Sequence, residues 1–368
     1  MSTDRESERP VRVAGGGPAG LAAAIELAGR GMAVEVHERH QRVGGRFDGD
    51  HQILPVFGDE PQGPALLETL AVDGLSVTPL SRARFLDADG HVVEARSREP
   101  YALLIRRGPE PGTLDTALAE RARRLGVTIH TGRALGDGRA DVLATGLRRV
   151  DGLAIERMFR TNADDRVDVL LDEELAPGGY AYLFVDRGEA TLGIAALGAF
   201  RDLGARLDEA RRRFAAIEDF HEDGARSAAH GMNFGLPATA LDAGRPRVGE
   251  AAGFQDFLFG LGLRMALISG RLAGRALAEG GDYDALWQQD IGSRMRTSLV
   301  DRWLYERGWV RRALFARLER DDLRDTLTRL QRDHWAKRAA GPWIRRARLR
   351  RDDRRDFVPR GAAGQGAP

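Results

Sequence analysis

The sequence contains no cysteine and a single lysine, Lys337. The missing cysteine excludes disulfides, thiolate metal sites, a cysteine nucleophile and any cofactor tethered through sulfur. Arginine stands where lysine would, which reads as the codon usage of a GC-rich genome. No stretch reaches the roughly 18 uncharged apolar residues that suggest a membrane-spanning helix. Residues 1–10 are charged and lack an apolar core, so they do not read as a signal peptide. The expected setting is cytoplasmic. A net charge of +1 gives no global attraction to nucleic acid, and no nucleic-acid partner is expected. There is no P-loop and no nucleophile elbow. His37 and His40 show no obvious co-ligands, and His221 and His230 lack helical i, i+4 spacing. No metal site is expected.

What is present describes a globular chain. Its 368 residues are 42% hydrophobic, enough for one large or two ordinary domains. The 45 glycines gather at a few turns, a sign of close backbone approach to a ligand. Periodicity predicts strands at 11–14, 33–36, 101–105, 127–130 and 141–144, and helices at 18–30, 66–72 and 112–125. A hairpin is predicted at 84–95 around the turn at 87–90. Strands at 166–171, 180–185 and 190–195 follow, with a helix at 205–220. A helix at 263–278 comes after a glycine-rich loop, and nearly everything beyond 283 reads as helix, broken at Gly308 and at Gly341-Pro342.

Gly15-Gly16-Gly17-Pro18-Ala19-Gly20 fits G-x-G-x-x-G between a predicted strand and helix. Gly15 permits the tight turn, Gly17 lets the backbone approach a pyrophosphate, and Gly20 allows close helix–strand packing. The helix N-terminus offers N–H groups and a favourable dipole to phosphate. Glu38 stands near the spacing of the acid that binds an unphosphorylated adenosine ribose, which fits NAD or FAD.

The segment from Glu38 through Arg39, Gly44, Gly45 and Arg46 to Phe47 resembles the continuation of the glutathione-reductase-type FAD domain. That resemblance implies glycines and an arginine near the diphosphate. A second segment, 249–264, resembles the late Gly-Asp motif of aromatic hydroxylases and geranylgeranyl reductases. It implies flavin contacts from Gly249, Glu250, Gly260, Gly262 and Leu263, with Glu250 in place of aspartate as acceptor from a ribityl hydroxyl. Arg106 and Arg107 resemble the arginine that reaches FAD after the first hairpin. Asp141 to Gly146 resembles the strand–Ala-Thr-Gly turn beside the adenosine part. Pro177 to Val185 resembles the substrate-side strand of the geranylgeranyl reductase-like branch of the p-hydroxybenzoate hydroxylase superfamily, with Tyr182 in place of tryptophan.

Tyr180, Tyr182 and Phe184 share one strand face, so they line a substrate wall or form a core stripe. Gln255, Asp256 and Phe257 are expected to join them. Thr145-Gly146-Leu147-Arg148 lacks the Asp-Gly continuation of the hydroxylases, which weakens a monooxygenase reading. No second G-x-G-x-x-G is present, so NAD(P)H is expected only as a transient donor.

The fold class implied is α/β, with a Rossmann-type FAD domain (11–150 and 240–282) and an inserted antiparallel-sheet substrate domain (151–239). The region 50–105 is open to either domain. A helical cap (283–356) and flexible ends (1–10 and 357–368) complete the expectation. The resemblance implies an oxidoreductase with non-covalent FAD and an apolar or prenyl-like small-molecule substrate. Monooxygenase and non-catalytic flavin-binding alternatives stay open. The Arg- and Trp-rich arm beyond 301 is expected to pack as a cap, burying Trp303, Leu304, Trp309, Leu314 and Leu318 over the cleft, rather than to lie on a membrane.

Overall fold

A computed structural model describes residues 9–58, 61–198, 201–351 and 357–359. Of the expected flexible ends 1–10 and 357–368, residues 1–8 and 360–368 lie outside the described residues, while Phe357–Pro359 is instead a short strand paired with Leu349–Arg351.

Strands Val11–Ala14, Val34–His37, Thr128–His130 and Val142–Leu143 form a parallel sheet. The helix Pro18–Gly29 starts on proline, whose missing N–H costs nothing at a first helical turn. It buries nearly its whole length against the helix Leu263–Glu279. Small residues set that spacing: a Cβ at Gly270 would fall 2.1 Å from the Ala19 carbonyl oxygen, and one at Gly274 2.8 Å from that of Ala23. The two halves of the cofactor-type domain, distant in sequence, are thus joined nearly backbone to backbone.

A seven-stranded sheet stands beside it. Its order is Asp223–Met232, Gly152–Arg160, Glu189–Leu197, Tyr180–Asp186, Arg166–Leu171, Arg82–Asp87 and Val92–Arg96. The hairpin of residues 82–96 is hydrogen-bonded to the edge of this sheet through a parallel pairing with Arg166–Leu171. Strands His51–Pro55, Ala102–Arg106 and Val77–Leu80 make a third sheet. Four of these strands, at 51–55, 77–80, 152–160 and 223–232, were not predicted. Gly152–Arg160 contains Ala, Glu, Arg and Met, a helix-like composition, and becomes a strand because it pairs on both sides.

The chain ends in the helices Tyr283–Asp290, Gly292–Tyr305, Gly308–Leu318, Leu323–Gln331 and Trp335–Arg348. The last continues through Gly341-Pro342, where the sequence predicted a break. The expected burial of the cap residues is corrected. Leu318 is buried and Trp303, Leu304 and Leu314 are half-buried, but Trp309 is 61% exposed. Trp309 lies nine positions before Leu318, half a turn off its face at about 100° per residue. Phe315, Leu318, Leu323 and Leu327 pack in one cluster with the hairpin residues Val93 and Ala95. None of the five expected cap residues lines the cleft described below. No helix among the described residues is long and apolar enough to cross a membrane.

Candidate functional site

Between the parallel sheet and the seven-stranded sheet lies a cleft of about 730 Å³. The glycine turn forms one end. Gly15 has φ +110°, and a Cβ there would stand 2.1 Å from the Ala144 carbonyl oxygen. Gly20 is sealed beneath, its hypothetical Cβ 2.0 Å from the Gly15 oxygen. Gly17 caps the helix and faces open space, with nothing within 4 Å of a built Cβ. Pro18 and Ala19 complete this lip.

Glu38 is buried and accepts from Gly16 N at 2.8 Å and from His40 N at 2.9 Å. Each carboxylate oxygen has a second lone pair, so capacity for a hydroxyl donor is left. Arg39 and Gly45 also line the cleft. A second helix opens here: Gly262 caps Leu263–Glu279, and Gly260, Gly262 and Leu263 face the cleft. Two helix N-termini, each with a positive dipole end, therefore converge on one space.

Arg46 reaches across the chain. Its guanidinium meets Glu250 Oε2 at 2.6 Å and donates to the Gly231 carbonyl at 2.9 Å. Gly146, at φ +74°, borders this pair. Phe47 is sandwiched, with the Arg107 guanidinium 4.2 Å from its ring centre and the His230 ring at 4.9 Å. Arg107 is itself locked to Asp115 by bonds of 2.8 and 2.9 Å.

Besides Gly20, sealed beneath the turn, three expected residues do not line the cleft. Arg106 turns away to the Gly49 carbonyl and to Glu189, because successive residues of a strand alternate faces and Arg107 takes the cleft side. Gly249 lies under the loop, its N–H donated to Ser269 Oγ at 2.9 Å, while Glu250 faces the cleft. Asp256 is buried away from it. One of its oxygens accepts from the backbone N–H groups of Leu258 and Phe259, and the other pairs with Arg294.

The other end is aromatic. Tyr180, Tyr182 and Phe184 all line it, as do Gln255 and Phe257. The Tyr182 and Phe184 rings stack at 4.8 Å. Tyr182 fits because its neighbour across the sheet is Gly193, where a Cβ would sit 2.3 Å from the phenol ring. Tyr182 and Phe184 also belong to the core cluster with Phe315 and Leu318, so the stripe is both core and wall. Tyr180 donates to the Phe259 carbonyl at 2.7 Å, tying the wall to the glycine loop.

Two clusters escaped the sequence. His37 stacks on His130 at 4.7 Å and lies 3.5 Å from Glu35, partners that the sequence did not reveal. Asp50, Glu156 and His230 have ligand-type atoms all within 4.8 Å of one another. These three come from three separate segments, so no spacing could signal them. The available hint was an acid at an inward position of an alternating strand. Burial, then the charge of Glu156, pushes the Asp50 carboxyl up to about 7. Burial and the charge of Arg106 hold His51 down at about 4. Tyr182 is pushed well above the ordinary phenol range by burial and by Glu156.

The fold and cleft define a two-part architecture, a Rossmann-type sheet with its glycine turn beside a seven-stranded sheet and a cleft between them. A sequence profile for the NAD(P)-binding Rossmann-like domain matches residues 13–57. Among solved structures, the chain is similar to a geranylgeranyl bacteriochlorophyll reductase-like protein from Thermoplasma acidophilum. That match has a TM-score of 0.71 and 18% identity, covering 92% of this chain and 98% of that one. A flavin-dependent brominase matches with a TM-score of 0.62 at 18% identity, covering 92% and 97%. The p-nitrophenol 4-monooxygenase of Pseudomonas putida DLL-E4 matches with a TM-score of 0.58 at 16% identity, covering 88% and 96%. No curated protein matches the sequence. The fold is shared with these reductase-like, brominase and monooxygenase structures.

Proposed function

We propose that the chain is an FAD-dependent oxidoreductase that moves hydride between the flavin and an apolar or planar small molecule. One observation carries this reading: a nucleotide cradle and an aromatic wall occupy the two ends of one cleft. The residues fit the cofactor. The open space over Gly17 admits a diphosphate, and two helix N-termini face it. The buried Gln255 Oε1 has no hydrogen-bond partner among the described residues, which suits a donor on the bound group.

FAD supplies the hydride-accepting and hydride-donating centre. Glu38 takes the ribose, Arg46 neutralises the diphosphate, and Glu250 accepts from the ribityl chain. Tyr180, Tyr182, Phe184 and Phe257 exclude water and orient the substrate. NAD(P)H is proposed as a transient donor. Anaerobic reduction followed by addition of candidate substrates tests the reading. Substrate-dependent reoxidation without oxygen supports it. Turnover that requires oxygen replaces it with the monooxygenase reading, and neither outcome leaves a flavin-binding protein.

Glu250→Ala removes a charge-assisted hydrogen bond worth roughly 1.5–3 kcal/mol. It also frees Arg46 from its 2.6 Å partner. FAD affinity is expected to fall about ten- to a hundredfold in a flavin fluorescence titration. An unchanged affinity would move the ribityl contact elsewhere.

The C-terminal helices are proposed as a structural cap, because Phe315, Leu318, Leu323 and Leu327 are buried against the hairpin. Trp309, Trp335 and Trp343 nevertheless face outward. In sedimentation with anionic liposomes the protein is expected to stay in the supernatant. Salt-sensitive binding, lost on truncation after Gly341, would give the arm a membrane-surface role instead.

A further inference from the structure

Glu156 stands at an inward position of Gly152–Arg160, and His230 lies diagonally across on Asp223–Met232. Asp50 reaches the same point from the start of the third sheet. Glu156 Oε1 accepts the Tyr182 hydroxyl at 2.5 Å, and Glu156 Oε2 lies 3.3 Å from His230 Nε2. Glu156, His230 and Tyr182 line the cleft, while Asp50 is fully buried behind them. His230 rests on Phe47, and the next carbonyl along, that of Gly231, is held by Arg46. The cluster therefore occupies the seam where the cofactor end of the cleft meets the aromatic wall. Asp50 Oδ1 and Glu156 Oε2, both on side chains more than nine-tenths buried, have no hydrogen-bond partner among the described residues.

We propose that Asp50, Glu156 and His230 hold one proton between them and exchange it with the bound substrate through the Tyr182 hydroxyl. The inference rests on the oxidoreductase reading and gives it the proton that must accompany hydride transfer to or from carbon.

Two carboxylates this close in an apolar wall cannot both ionise cheaply, so one proton stays in the group near neutral pH. The charged and titratable groups facing it are few. Asp50 faces Glu156, His230 and Arg107, with Gln52 donating to it at 2.9 Å. Arg107 is already committed to Asp115. Glu156 faces Tyr182, with Tyr180 beyond. The high phenol range of Tyr182 keeps its proton on oxygen until something accepts it.

The bookkeeping of atoms is simple. In delivery, the Tyr182 O–H bond breaks and its proton bonds to the substrate. The proton shared within the cluster passes through the Glu156 carboxyl to the Tyr182 oxygen in the same step. Glu156 is left as a carboxylate accepting from Tyr182, which is the hydrogen bond observed. No electron moves in the network, and a solvent proton restores the shared one through His230, whose ring lines the cleft. Abstraction from a substrate runs the same path in reverse.

Infrared titration of the full chain without added flavin tests the shared proton. A carboxylic acid band is expected to persist at pH 6 and to titrate near 7, to titrate lower in Glu156→Gln, where the neighbouring charge is gone, and to be lost in Asp50→Asn. Tyr182→Phe keeps the ring stacked on Phe184 and removes a donor to the carboxylate, so its titration should move upward. With FAD loaded and an accepted substrate, Tyr182→Phe should lower kcat about 10²- to 10⁴-fold, the range for a general acid. FAD affinity should be unchanged, and the alkaline limb of the wild-type kcat profile should disappear in Glu156→Gln.

No carboxylic acid titrating above pH 6 overturns the inference. So does normal turnover in Tyr182→Phe, or a stoichiometric metal in the purified protein that is lost in Glu156→Gln. A wild-type chain that binds no FAD would instead sink the oxidoreductase reading, and the titration would then decide the shared proton by itself.

Discussion

Gly17→Val is expected to fold as the wild type does and to lose FAD binding. The two halves of that result come from different facts. Gly17 has φ −79° and ψ 178°, extended backbone that valine adopts readily, and a built Cβ meets nothing within 4 Å. The substitution therefore creates no clash with the protein itself. The space it fills is the mouth of the cleft, at the N-terminus of Pro18–Gly29, where the proposed diphosphate approaches backbone N–H groups. Blocking two charge-assisted hydrogen bonds costs about 3 kcal/mol or more, at least a roughly hundredfold loss of affinity. Gly20→Ala makes the contrast. Its Cβ would lie 2.0 Å from the Gly15 oxygen, so it should destabilise the protein before binding is even at issue. Circular dichroism with flavin fluorescence titration separates the two. A Gly17→Val protein that binds FAD normally would show that the diphosphate does not lie at this turn.

The second large effect is expected on stability. Asp256→Ala should lower unfolding free energy by roughly 3–5 kcal/mol, the cost of breaking a buried ion pair. Asp256 is paired to Arg294, whose side chain is 1% exposed. Arg294 also meets Asp301 at 2.9 Å, and Asp301 pairs with Lys337. Without Asp256 this buried chain carries an uncompensated positive charge. The backbone N–H groups of Leu258 and Phe259 lose their acceptor as well. That turn presents Phe257 and Phe259 to the cleft, so FAD affinity should fall in parallel. Urea unfolding should show a lower midpoint with an unchanged slope. Replacing Asp256 and Arg294 together by apolar residues should cost less than Asp256→Ala, because no charge is then stranded. A loss under about 1 kcal/mol in Asp256→Ala would mean that water reaches Arg294 and the pair is not sealed.

The same residue shows the limit of reading a motif. Asp256 lies between two cleft residues, Gln255 and Phe257, and a linear motif cannot say which of three neighbours turns inward. Arg106 and Arg107 pose the same problem, since strand alternation sends one to the cleft and the other to Glu189. Trp309 shows the helical form of the same limit: composition does not phase the helix Gly308–Leu318, whose buried face is set by what Phe315 and Leu318 pack against.

The sequence by itself determined the Rossmann-type unit, the glycine turn, Glu38 and the glycine loop before Leu263. These carry local signatures: Gly15 and Gly260 take positive φ, Gly20 packs on the Gly15 oxygen, and Glu38 closes the second strand within the same βαβ unit. It also determined the aromatic stripe, because period-two alternation needs no partner to be seen. The tertiary structure alone decided the strand state of Gly152–Arg160, whose helix-like composition is overridden by pairing on both sides. It alone decided the pairing of Arg46 with Glu250, 204 positions apart, and the meeting of Asp50, Glu156 and His230. Such contacts have no local signature. They exist only because sheet register brings distant strands side by side, and burial then gives their charges an energy that no stretch of sequence contains.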